Sequence, residues 1–161
     1  MTTWRNADGL VIAFGTSQGE PAVTGEVHME GGLHKMLINL TAGDLPAAGA
    51  GATRLDPLPT SAIPSGVVIE SCTLKVDEAF VGVGATLDIG LAEEDGTEID
   101  FNGLIAAAAT TDMDSVGDTV AGAGASVGAA LTEIGFVTAT VTSADFTDGS
   151  AAIEIVYRKQ R

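Results

Sequence analysis

Four groups of residues in this sequence have types and spacings that could do chemistry. Gly122-Ala-Gly124-Ala-Ser-Val-Gly128 spaces its glycines loosely like a dinucleotide-binding turn. That chemistry needs a strand before the glycines, a helix after them and an acid about twenty residues on, all within one βαβ unit. Only 33 residues follow Gly128, and they alternate like strands, so the segment reads as a tight or flexible Ala/Gly turn. Asp112-Met-Asp114-Ser-Val-Gly117-Asp118 begins like a calcium loop. An EF-hand would also need an oxygen ligand at position 116 and a glutamate at 123, where Val116 and Ala123 stand. A looser oxygen cage from Asp112, Asp114 and Asp118 is the alternative to a solvated turn. Glu93, Glu94, Asp95, Glu98 and Asp100 form a second acidic group that reads as a polar turn. His28 and His34, with Glu26 and Glu30 near, fall short of the three or four converging ligands a zinc site wants.

Nucleophilic catalysis finds no support either. Cys72 is the only cysteine and sits in an alternating apolar run, the setting of a buried, inert thiol. The two histidines have no nucleophile motif beside them. Carboxylates are too frequent here to mark a glycosidase pair. Asn39-Leu-Thr41 matches a glycosylation acceptor but has no secretion signal with it. The expectation is a non-enzymatic chain with no catalytic residue, no cofactor and no metal.

Composition sharpens this. The chain has 161 residues, enough for one domain, but only 4% are aromatic and 21 are glycine. Small side chains remove little area from water, at about 25 cal/mol per Å², and glycine costs conformational entropy on folding. Such a core gains from partner subunits. The net charge is −15. From Val76 to Tyr157 there is no Lys or Arg, against fifteen acids from Asp77 to Glu154. Nucleic acid binding requires cations that displace phosphate counterions, so that class is excluded. Trp4, Arg5, Asn6 and Asp8 interrupt the place of a signal-peptide apolar core. No apolar run reaches the roughly 18 residues of a membrane helix.

The elements that must carry these residues are short strands. Val67–Val76, Ala85–Leu91, Gly135–Val141 and Ala151–Tyr157 alternate apolar and polar residues, as does Leu33–Leu40. Thr41–Pro64 holds four of the five prolines and cannot be a central strand. Asp77–Gly84 reads as a connection, and Asp148-Gly149 as a hairpin turn. Asn102–Ala109 is the one place for a short helix, with Asn102 as N-cap. The fold class expected is all-β, a β-sandwich or jelly-roll-like domain over residues 33–161. Residues 1–32 read as an extended N-terminal arm, whose reach when stretched is on the order of 100 Å. Within it Trp4, Arg5 and Phe14 are the candidate contact residues, since large aromatics in an aromatic-poor arm suit interface anchors.

Met1-Thr-Thr-Trp4-Arg5-Asn6-Ala-Asp8-Gly9-Leu-Val-Ile-Ala-Phe14-Gly15 resembles the start of a group of virion structural proteins of tailed bacteriophages. Pro64-Ser-Gly-Val-Val-Ile-Glu70 and Asp95-Gly-Thr-Glu-Ile-Asp-Phe-Asn-Gly-Leu-Ile-Ala106 extend the similarity in order and spacing. The match is weakest over Thr41–Ile63 and after Asp118. The resemblance implies a capsid decoration, or cement, protein. Proteins of this kind sit on the outer face of the shell, often as homotrimers, bind the major capsid protein and clamp neighbouring capsomers. The chain would be made in the host cytoplasm and end in the virion, with no nucleic acid or membrane as partner. The alternative is a tail- or fibre-associated β-domain that binds a host glycan.

Overall fold

The structure, a computed structural model, describes residues 2–5, 11–14, 33–55 and 62–159. The chain divides into two compact units, Met1–Glu30 and Gly31–Arg161. In the first, β1 (Thr2–Arg5) and β2 (Val11–Phe14) pair antiparallel, with Thr2 opposite Phe14 and Trp4 opposite Ile12.

The second unit is a two-sheet sandwich. One sheet runs in the order β4-β10-β6-β7, from Thr53–Arg54, Phe136–Thr142, Thr86–Ala92 and Glu98–Ala109. The other runs β3-β11-β5-β8, from His34–Thr41, Asp148–Lys159, Val67–Val81 and Thr119–Ala121, with β9 (Ala130–Leu131) also pairing β5. All pairings between these strands are antiparallel. The chain crosses between sheets from β3 to β4, β4 to β5, β5 to β6, β7 to β8, β9 to β10 and β10 to β11. Each strand buries alternate residues because successive side chains point to opposite faces. Ile38 and Leu40, Leu74 and Val76, and Ile153 and Ile155 thus meet Leu87, Ile89, Leu91, Val137, Ala139 and Val141 in one core.

Three sequence expectations give way to the structure. Asn102–Ala109 is no helix: it belongs to β7, where Leu104, Ile105 and Ala108 are buried beside β6. Alanine's helical propensity is worth at most a few tenths of a kcal/mol per residue over its competitors, less than sheet pairing and burial supply here. Asp148-Gly149 is not a hairpin turn: it opens β11, in the sheet opposite β10, so the chain crosses over instead of doubling back. Gly149 has φ +123°, and a Cβ there would stand 2.6 Å from the Phe80 ring, so glycine is required by packing as well as by conformation. Asp77–Val81 continues β5 instead of leaving the sheet, because Phe80 turns inward against Phe146 with ring centroids 5.3 Å apart.

The β6–β7 ladder is irregular. Between the pairs Ile89–Ile105 and Leu91–Asp100, Gly90 alone faces the four residues Phe101–Leu104. This bulge folds against Gly90, whose Cβ would lie 2.1 Å from the Phe101 carbonyl carbon. At a second bulge Ala107 takes φ +50°, and its N–H donates to Asp88 Oδ1 at 2.6 Å.

The glycine-rich segment after β8 closes one side of the sandwich. Gly122 N–H donates to Cys72 O on β5 (2.7 Å), and Gly124 N–H to Leu104 O on β7 (3.2 Å). Ser126 N–H donates to Gly103 O (2.9 Å), and Gly128 N–H to Ile69 O (2.7 Å). Main chain here bonds to both sheets, first to β5, then twice to β7, then to β5 again. A Cβ on Gly124 would lie 2.3 Å from the Gly103 main chain.

Substituting Gly124→Ala must therefore push main chain from main chain, with an expected loss of about 2–4 kcal/mol read as a lower urea midpoint. Ala107→Gly should move the midpoint the other way by about 1 kcal/mol, since it relieves a left-handed alanine without touching the Asp88 bond.

Candidate functional site

The acidic groups act first on their own backbone. Asp112 Oδ2 accepts from Ala109 N–H (3.1 Å), Asp118 Oδ2 from Ser115 N–H (2.9 Å), and Asp114 Oδ1 from the Ser115 hydroxyl (3.1 Å). Met113, between the first two acids, is fully buried. In the second group Asp95 accepts from Thr97 N–H (2.9 Å), and Asp100 from Asn102 N–H (3.3 Å). Turns at strand ends leave N–H groups without a ladder partner, and short acidic side chains satisfy them. The Thr97 N–H, and then its hydroxyl, hold the Asp95 carboxyl below its ordinary range. The Thr41 hydroxyl and N–H do the same for Asp44. Among the described residues no three His, Cys, Asp or Glu side chains gather as a metal would require.

The other candidates are equally dispersed. Cys72 points into the core at 2% exposure, and burial pushes its thiol up to about 12. His34 stacks on Tyr157, ring centroids 5.4 Å apart, and His28 lies outside the described residues. In the Gly122–Gly128 segment the N–H groups of Gly122, Gly124, Ser126 and Gly128 donate to main-chain carbonyls of β5 and β7. Trp4 and Arg5 lie on β1 and Phe14 on β2, and their side chains are outside the described part of the structure.

What the fold does bring together is a surface that the sequence did not reveal. Cations far apart along the chain share the outer face of the β3-β11-β5-β8 sheet. Lys35 on β3 pairs with Glu154 on β11, and Arg158 on β11 pairs with Glu70 on β5. Lys75 and Asp77 follow each other on the outward side of β5, between the buried Leu74 and Val76 and beyond. Lys35, Lys75 and Arg158 thus stand on the same sheet as Glu70, Asp77, Glu78, Asp148 and Glu154 in a chain that is strongly acidic. Near the middle of this face Leu37, Thr73, Lys75, Thr119, Ala152 and Glu154 line a groove of ≈ 230 Å³. Leu37 is 57% exposed there. The opposite sheet differs: the β6–β7 hairpin carries Asp88, Glu93, Glu94, Asp95, Glu98 and Asp100 with no Lys or Arg. Arg54 of that sheet lies over the Phe136 ring, 3.7 Å from its centroid.

Solved bacteriophage capsids contain chains with this fold. One in the capsid asymmetric unit of cyanophage Pam1 matches with a TM-score of 0.58 and 16% identity, over 91% of this chain and 98% of that one. One in the capsid of Ralstonia phage GP4 matches with a TM-score of 0.57 and 21% identity, over 86% and 92%. One in the acidic stable capsid of Helicobacter pylori bacteriophage KHP30 gives 0.52 and 15%, over 80% and 94%. The likeness runs nearly whole chain to whole chain, and at these identities it establishes a shared all-β fold. No protein-family model and no curated protein matches the sequence.

The thiol gives a direct check on the core. Cys72 should resist a thiol reagent at pH 8 in the native protein and react fully in urea, because the proton must leave from a buried site. The folded chain holds that proton more tightly than the unfolded one. Its contribution to stability is therefore complete below pH about 9 and is lost as pH rises from there through about 12. Cys72→Ala should remove this part of the alkaline destabilisation.

Proposed function

We propose that this chain is a non-enzymatic structural protein of a phage virion, a capsid decoration or cement protein. In this reading it binds the major capsid protein on the outer surface of the shell as a homotrimer and stabilises contacts between capsomers. The observation that carries it is the end-to-end likeness of the fold to chains from three phage capsid structures. Charge supports the outward position. A chain at −15 is poorly suited to the inner capsid face, where packed DNA would repel it.

Residues 1–32 serve in this reading as the arm and residues 33–161 as the body. Trp4, Arg5 and Phe14 are the anchoring contacts, since large aromatics and arginine dominate interface energetics. The antiparallel pairing of β1 with β2 holds Thr2–Arg5 against Val11–Phe14, so Trp4, Arg5 and Phe14 lie on paired strands.

The test is cosedimentation with capsids that lack decoration. Wild type should bind saturably. The triple variant Trp4→Ala, Arg5→Ala, Phe14→Ala should bind at least about 30-fold more weakly, the loss of one or two hot spots. Undiminished binding of the variant removes the anchoring role, and wild type that never binds a shell removes the capsid reading.

A further inference from the structure

The groove on the outer sheet face has a counterpart on the same chain. The turn from β5 to β6 is Gly82-Val83-Gly84, and Val83 is 97% exposed. Beside it Val81, the last residue of β5, is 52% exposed. Glycines on both sides leave Val83 projecting with little around it. The sequence has no Lys or Arg between Val76 and Tyr157, the stretch that contains this tip. Asp148 pairs with Val81 in the ladder, and the Asp145 carbonyl lies where a Gly82 Cβ would be, at 2.8 Å. The tip is an apolar knob beside two exposed acids, Asp145, whose carboxylate accepts from Ala48 N–H at 2.6 Å, and Asp148.

The groove is its complement. It is lined by Leu37, Thr73, Thr119 and Ala152, with Lys75 and Glu154 also on its wall and Lys35 of β3 paired to Glu154. Its sheet carries Lys35, Lys75 and Arg158 on β3, β5 and β11. A protein at −15 can approach another copy most easily there. Val83 cannot reach the groove of its own chain. Thr73 and Lys75 lie eight to ten residues back along the same sheet direction, roughly 25 Å away at the rise of a β-strand.

We propose that the Val83 turn of one copy seats in the Leu37 groove of a second copy. The contact joins two different patches, so it is heterologous, and repeated around an axis it closes into a ring. This inference rests on the self-assembly part of the functional reading above and supplies its contact: Val83 fills the groove beside Leu37 and Ala152 while Asp148 faces Lys75.

A heterologous contact has a distinctive test. Val83→Glu spoils the knob and leaves the groove; Leu37→Glu spoils the groove and leaves the knob. Both sites are exposed, and far-UV circular dichroism checks that each variant folds. By light scattering, wild type should run as a multiple of the 16.1 kDa chain. Each variant alone should associate more than tenfold more weakly and run as monomer, with Val83→Ala as the milder case. An equimolar mixture of the two Glu variants should form dimers and stop there. The intact knob of one enters the intact groove of the other, and both remaining sites are damaged. Wild type that stays monomeric at every concentration overturns the proposal, as does either Glu variant keeping the wild-type mass, or a mixture that stays monomeric. Capsid cosedimentation of wild type is scored separately. Binding by a monomer retires the knob and groove but keeps the capsid reading; interlocked oligomers that ignore capsids do the reverse.

Discussion

The sandwich depends on main chain meeting main chain where large side chains would ordinarily intervene. Packed sheets stand about 10 Å apart, and interdigitating side chains fill the gap. With aromatics at 4%, this chain has few residues that fill such a gap alone. Along one side it uses backbone instead. Gly122 bonds to β5, Gly124 to β7, Ser126 to the β7 bulge and Gly128 back to β5. The bulge itself is pressed against Gly90 from the other direction. The approaches at Gly90, Gly122 and Gly124 would fail with a Cβ in the way. Glycine carries an entropic cost here, offset by the hydrogen bonds to both sheets and by the close approach of Gly122 to Cys72 and the Leu104 carbonyl. The Phe80–Phe146 pair, where two of the few aromatics do meet, packs the core where β5 runs out toward the β6 turn.

The same scarcity of side-chain packing explains what the acids do. Short strands and frequent crossovers leave many turn N–H groups unpaired by ladders, and Asp44, Asp95, Asp112 and Asp118 accept from them. The acidic groups that look like ligand clusters in sequence are therefore spent locally, each on its own turn. Their sum is a surface of one sign over the β6–β7 hairpin and the loops. The sheet face of β3, β11 and β5 is the exception, because its cations lie opposite acids on neighbouring strands.

The strands were legible because alternation has a period of two and survives in Val67–Val76, Ala85–Leu91 and Ala151–Tyr157. Segments whose structure is set by distant partners were not. Asn102–Ala109 has helical composition, and nothing local says that Gly90 and Gly124 will hold it extended. Asp148-Gly149 has hairpin chemistry, but its glycine answers to Phe80, a residue nearly seventy positions away. The cation-bearing face was hidden for the same reason. Lys35, Lys75 and Arg158 become neighbours only through the ladder order β3-β11-β5, which no single strand's pattern contains. The signal that could have pointed there is the restriction of cations to segments outside Val76–Tyr157, once the strands of Lys35, Lys75 and Arg158 are known to share a sheet.

That segregation bears on how many copies can crowd together. At physiological salt an exposed charge is screened within about 8 Å, so acids on loop tips of adjacent molecules repel weakly unless the molecules touch. Touching is where the distribution matters. Contact between two acidic hairpins would bring like charges inside the screening length and desolvate them, at a cost that grows with every pair. Contact through the sheet face buries Lys35 and Arg158 with partners already in place, and it adds Lys75 to whatever acids the neighbour presents. A strongly acidic chain can therefore assemble without neutralising its surface, provided that it keeps cations on one face and turns the rest outward to water.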